Sequence, residues 1–142
     1  HLREILDKVK RPCIRYTEAT EENVTQADCL IIDCYGLLSS IYRYGEISYI
    51  GGGFGVGIHN VLEAAVYGIP VIFGPNNKKF REAQHLLEQK GGFEVTGYDD
   101  FKRLMDKFLS DEAYLQQAGK AAGNYVNHNA GALEKIMKDI TL

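Results

Sequence analysis

A doubly wound α/β fold, with a Rossmann-like parallel sheet flanked by helices, is what this sequence predicts, and three observations predict it. Short apolar runs rich in β-branched residues alternate along the chain with longer amphipathic stretches. The runs are apolar throughout, as strands covered on both faces should be. A glycine cluster from Gly51 to Gly57 falls directly after one run and before a helical stretch, where α/β sheets place ligand-binding loops. The 142 residues suffice for a real hydrophobic core, and one domain over residues 1–142 is expected.

Composition narrows the function classes. Hydrophobic content is 45% and charged content 25%, ordinary for a globular chain. A net charge of −3 argues against nucleic acid as the main partner, which needs a basic field. No apolar run approaches the roughly 20 residues of a transmembrane helix. Cys13, Cys29 and Cys34 form no C-x-x-C pattern, so buried, reduced thiols are expected and a zinc site is not.

In chain order, Leu2–Lys10 carries an apolar stripe at Leu2, Ile5, Leu6 and Val9 and predicts a helix ended by Pro12. Cys13–Tyr16 reads as a strand, Thr17–Thr25 as a loop or short helical turn, and Cys29–Asp33 as a second strand. Leu37–Tyr44 continues as helix, and Ile47–Ile50 is a third strand. Val61–Tyr67 is helical in pattern, stopped by Gly68 with Pro70 beyond it, and Val71–Phe73 begins the next strand. Phe80–Lys90 is an amphipathic helix stopped by Gly91-Gly92, and Phe93–Thr96 an edge strand. The helix from Asp99 to Leu109 should turn Phe101, Leu104, Met105, Phe108 and Leu109 inward. A further helix runs from Ala113 to about Asn127; the Asn127–Gly131 stretch should break it before a terminal helix over Ala132–Ile140. His85 and His128 show no partner pattern and read as surface residues.

The organising stretch is Ile47 to Pro75, ISYIGGGFGVGIHNVLEAAVYGIPVIFGP. Five glycines in the seven residues 51–57 exceed what one tight turn needs. They let the backbone take φ > 0 and let a ligand approach bare N–H groups. Asn60 offers a helix N-cap with Glu63 three residues on, close to a capping box. His59 and Glu63, at i and i+4, should share a face of the first turn. Loop amides and a helix start suit an anion, and a carboxylate one turn along suits sugar hydroxyls. The expected ligand is therefore a nucleotide or phosphorylated sugar. Neither the G-x-G-x-x-G fingerprint nor the P-loop is present. After the next strand, Asn76 or Lys79 in Gly74-Pro75-Asn76-Asn77-Lys78-Lys79 is placed to meet a phosphate or carboxylate.

Gly52-Gly53, His59-Asn60, Leu62-Glu63 and Gly74-Pro75 together resemble the Kdo (3-deoxy-D-manno-octulosonic acid) transferases of lipopolysaccharide assembly, closely from Asp33 to about Phe80. The resemblance implies the C-terminal half of a GT-B glycosyltransferase. That domain binds the donor CMP-Kdo, while an N-terminal domain carries the lipid A precursor acceptor, the general base and the contact with the cytoplasmic face of the inner membrane. Transfer is implied to invert the anomeric carbon without a metal or cofactor, and the C-terminal domain alone to be inactive. The site residues carried over are Gly36, Gly52, Gly53, His59, Asn60, Glu63, Pro75 and Lys79. Three positions depart from the family pattern: Cys34 stands for Thr, Leu37 for Glu, and Ile58 for the Gly before the histidine. Two other classes stay open. One is a GT-B UDP-sugar transferase or epimerase, in which the same glutamate holds a uridine ribose. The other is a non-catalytic nucleotide-binding module.

Overall fold

The computed structural model describes residues 8–140, with side chains described up to residue 130. The predicted helix over Leu2–Lys10 lies almost wholly outside the described residues. The chain forms two compact units, one running to Ile41 and the other starting at Tyr42.

In the first unit, strand β1 (Cys13–Arg15) pairs in parallel with β2 (Cys29–Ile31), with Cys13 opposite Cys29 and Arg15 opposite Ile31. Two short 3₁₀ turns, Tyr16–Glu18 and Val24–Gln26, occupy the polar connection. The Asp33 carboxylate, 4% exposed, ties the strand ends together. It accepts from Arg15 Nε at 2.8 Å, from the Thr17 hydroxyl at 2.6 Å and from the Thr17 amide at 3.0 Å. These bonds hold its pKa down at about 2, with the Thr17 hydroxyl the largest cause. The three cysteines are free thiols and half-buried, not buried as expected. The unit closes with a short helix α1 (Leu38–Ile41).

The second unit is built on a parallel sheet of β3 (Ser48–Ile50), β4 (Val71–Phe73) and β5 (Gly92–Glu94), with β4 central. Crossovers run through α2 (Leu62–Ala65) and α3 (Arg81–Glu88). Two longer helices follow, α4 (Tyr98–Ser110) and α5 (Glu112–Ile140). Side chains alternate across a strand, so β4 feeds both faces. Val71 and Phe73 join Ile50, Ala64, Ala65, Ala83, Leu86, Ala122 and Tyr125 in one core. Ile72 joins Val95, Phe108 and Ala118 on the opposite face, beneath Phe101, Leu104 and Met105 of α4. Both faces of the sheet are thus covered by helices, the doubly wound arrangement expected.

Four further expectations change. The chain does not break at Asn127–Gly131: α5 runs unbroken from Glu112 to Ile140. Glycine and asparagine inside a helix each cost about 1 kcal/mol or less, and no proline forces a stop. Leu109 does not face inward; it is 72% exposed, while its neighbour Phe108 is buried. His85 has a partner: its Nδ1 lies 3.1 Å from the Tyr125 hydroxyl and the rings pack edge to face, joining α3 to α5. The fourth concerns the start of α2 and bears on the site.

Candidate functional site

The loop after β3 folds back on itself through its glycines. Gly52, at φ +91°, sends its carbonyl to the amides of Gly55 and Gly57, each at 3.1 Å. A Cβ on Gly52 would lie 2.1 Å from the Gly57 oxygen. Gly53 is buried against the loop after β4, where a Cβ would lie 2.4 Å from the Gly74 nitrogen. Gly55 meets no such limit, with its nearest atom at 3.9 Å. Gly52 and Gly53 are therefore required by packing.

Asn76 joins the two loops. Its amide donates to the Gly53 carbonyl at 2.7 Å, its carbonyl accepts from the Ile58 amide at 3.3 Å, and its Nδ2 donates to the Gly55 carbonyl. The next residue, Asn77, is fully buried. Its Nδ2 donates to the Gly74 carbonyl at 2.8 Å and to the Glu94 carboxylate at 2.7 Å, and its Oδ1 accepts from Gln84 at 2.7 Å. Lys78 completes this network on Glu94 at 2.8 Å. The Lys78 hydrogen bond, followed by that of Asn77, lowers the Glu94 pKa.

The start of α2 differs from expectation. Helix geometry begins at Leu62, so His59 and Asn60 precede the first turn and the i, i+4 spacing does not put His59 and Glu63 on one helix face. Asn60 does satisfy an orphan amide, since its Oδ1 accepts from the Leu62 N–H at 2.9 Å. The return bond of a capping box, from Glu63 to the Asn60 backbone, is absent among the described hydrogen bonds. Glu63 is half-buried with no hydrogen-bond partner among the described residues. It lies near enough to Tyr42 that its charge, after burial, helps raise the pKa of that phenol.

A cavity of about 340 Å³ opens beside the loop, lined by Ile58, His59, Asn60, Val61, Leu62, Phe80 and Glu82. The backbone amides of Asn60 and Val61 have no acceptor among the described hydrogen bonds. Exposed His59 lines the same cavity as the residues that carry those two amides and as Glu82, so the lining includes donors suited to an anion and an acceptor suited to hydroxyls. Pro75 is half-buried between the two loops' contacts, and Lys79 is exposed with no ion-pair partner among the described residues. Of the two adjacent lysines, Lys78 is the one engaged within the protein. Gly36, at φ +91° with open space around it, belongs to the first unit, in the loop after β2. A second, apolar cavity of about 290 Å³ is lined by Tyr49, Phe54, Val95, Gly97, Tyr98 and Phe101, and Phe54 also packs on Gly74. Among the described residues no group of three or more His, Cys, Asp or Glu is placed to hold a metal, and no helix is long and apolar enough to cross a membrane.

Sequence reasoning missed the parts played by Asn76 and Asn77. Two consecutive asparagines after a Gly-Pro strand exit were a readable turn signal, but nothing in the pattern told which one turns inward.

No family model matches the chain. Among curated proteins, it is similar to the 3-deoxy-D-manno-octulosonic acid transferase of Aquifex aeolicus, 37% identical over 87 residues that make up 60% of this chain and 25% of the relative. The transferase of the same name from Rickettsia felis is 28% identical over 99% of this chain and 31% of its own length. The chain thus spans about a quarter to a third of the length of these two relatives. Among solved structures, the C-terminal CMP-Kdo binding domain of WaaA from Acinetobacter baumannii matches with a TM-score of 0.60 at 19% identity, covering 84% of this chain and 65% of that one. That likeness supports the α/β fold of parallel sheets flanked by helices. The resemblance to Kdo transferases carried by the glycine loop and its neighbours holds in these comparisons.

Proposed function

We propose that this chain is the donor-binding domain of a Kdo transferase, a glycosyltransferase that takes Kdo from CMP-Kdo. The observation that carries this reading is the cavity beside the glycine loop, lined by the exposed His59 and by Asn60 and Val61, whose amides have no acceptor among the described hydrogen bonds. The Kdo transferases of Aquifex and Rickettsia, and the CMP-Kdo binding domain from Acinetobacter, support the same donor.

In this reading the amides and His59 hold the nucleotide phosphate, and Glu63 accepts hydrogen bonds from the ribose hydroxyls. Lys79 and Pro75 border the sugar. Transfer proceeds by attack of an acceptor hydroxyl on the anomeric carbon of Kdo, from the face opposite CMP. The bond from that carbon to the phosphate oxygen breaks, and CMP leaves with the electron pair. The hydroxyl proton passes to a base on a second, N-terminal domain. The donors here act on the charge that grows on the departing phosphate, where preorganised dipoles contribute most. The acceptor is a lipid A precursor at the cytoplasmic face of the inner membrane, and the stereochemical course is inverting and metal-independent.

An amide NMR titration with CMP, UMP and NAD tests the reading. CMP is expected to shift Gly52–Asn60 and Glu63 selectively, and Glu63→Ala to remove most of that response. Preferential binding of UMP keeps the fold but replaces the donor. Absence of any nucleotide response in the chain sinks the proposal.

A further inference from the structure

Resting on that donor-binding reading, we infer that Asn76 is a positioning residue for the phosphate-binding loop: it acts through the loop and does not itself touch the ligand. The sequence alone makes Asn76 a candidate ligand for a phosphate or carboxylate. The structure spends its groups otherwise. The backbone N–H, the backbone carbonyl and the side-chain amide of Asn76 each bond to a different point of the loop, at Gly53, Ile58 and Gly55. Those three points span the stretch in which Gly52 ties itself to Gly55 and Gly57. The clamp is anchored from behind. Asn77 is buried and held by Gly74, Gln84 and Glu94, so Asn76 cannot swing away without breaking a satisfied polar network. Ile58, one of the clamped points, begins the wall of the cavity that contains His59 and Asn60. Loss of the clamp therefore relaxes the positions of the groups meant for the phosphate, while Glu63 on α2 keeps its place for the ribose.

That division gives a test that a purely structural role would not pass. The 142-residue chain is titrated by NMR with CMP and with cytidine, which lacks the phosphate, in the wild type, Asn76→Ala and Asn76→Ser. Asn76 is exposed, so the variants keep the dispersed spectrum of the parent outside 51–58. The expected result is a loss of CMP affinity of roughly five-fold, the worth of one net hydrogen bond, with cytidine affinity unchanged. The ratio of cytidine to CMP dissociation constants then falls in both variants. If the ratio stays at the wild-type value, the inference is overturned while donor binding stands. If both ligands weaken together, Asn76 is a general stabiliser and the inference is likewise overturned. If the wild type itself ignores CMP, the donor reading has failed, and the wild-type titration shows this before any variant is read.

Discussion

Alanine at Gly53 should destabilise the chain and alanine at Gly55 should leave it almost unchanged, although the two glycines sit two residues apart in one loop. At Gly53 the added Cβ would lie 2.4 Å from the nitrogen, 2.5 Å from the Cα and 2.9 Å from the carbonyl carbon of Gly74. All three are backbone atoms at the end of a central strand, so no side chain can swing aside. Relief requires the loops to part, which costs about 1–3 kcal/mol as overpacking in a close-packed site. Parting also stretches the 2.7 Å bond from the Asn76 amide to the Gly53 carbonyl, adding about 1 kcal/mol. The sum of about 2–4 kcal/mol, at a urea slope near 2 kcal/mol per molar, lowers the denaturation midpoint by about 1–2 M. At Gly55 the nearest atom is 3.9 Å away and φ lies outside the left-handed region, so alanine changes stability by no more than about 0.5 kcal/mol. Urea unfolding followed by circular dichroism measures both. A Gly53→Ala midpoint within error of the wild type, or a Gly55→Ala loss as large as that of Gly53→Ala, refutes the packing argument.

Two further outcomes follow from geometry. The Asp33 pKa, held near 2 by Thr17 and Arg15 against an ordinary 3.8, means its stabilisation is complete above pH 3.8 and is lost as pH falls from there through 2; a carboxyl carbon NMR titration midpoint near 3.8 would contradict those bonds. Gly119→Ala tests packing against propensity. Alanine gains about 1 kcal/mol in a helix interior, but its Cβ would lie 2.3 Å from the Gly68 carbonyl oxygen. The overpacking cost of about 1–3 kcal/mol outweighs that gain, for a net destabilisation of up to about 2 kcal/mol, and a raised melting temperature would show that α5 can shift.

The fold was legible because strands and helices here follow their periodicities closely. Val71–Phe73 is apolar at every position, and it proves to be the central strand with both faces covered. Gly68 was read as a helix stop and takes φ +71°. What escaped the reading was a helix boundary or a long-range contact. The Asn127–Gly131 stretch has the composition of a break, yet helix continuity carries through it. The i, i+4 spacing of His59 and Glu63 suggests one face only if His59 lies in the first turn, and it stands three residues before helix geometry begins at Leu62; Asn60 caps the turn from outside it. The tie of Asp33 to Arg15 and Thr17 spans 16 to 18 residues, a separation at which no local pattern speaks.

The candidate site itself shows why a glycine cluster is an ambiguous sign. Gly52 and Gly53 are needed because backbone meets backbone there, a requirement that exists with or without a ligand. Asn76 supplies three more bonds that fix the same loop. In the proposed donor-binding reading, a loop held this way loses little conformational freedom on binding a phosphate, so more of the contact energy appears as affinity. The Gly53–Gly74 approach and the Asn76 bonds fix the backbone as far as Ile58, directly before His59 and Asn60 of the cavity wall. Under the proposed donor-binding reading, residues that tighten the loop without touching the ligand should therefore contribute to phosphate affinity alongside the residues that line the cavity.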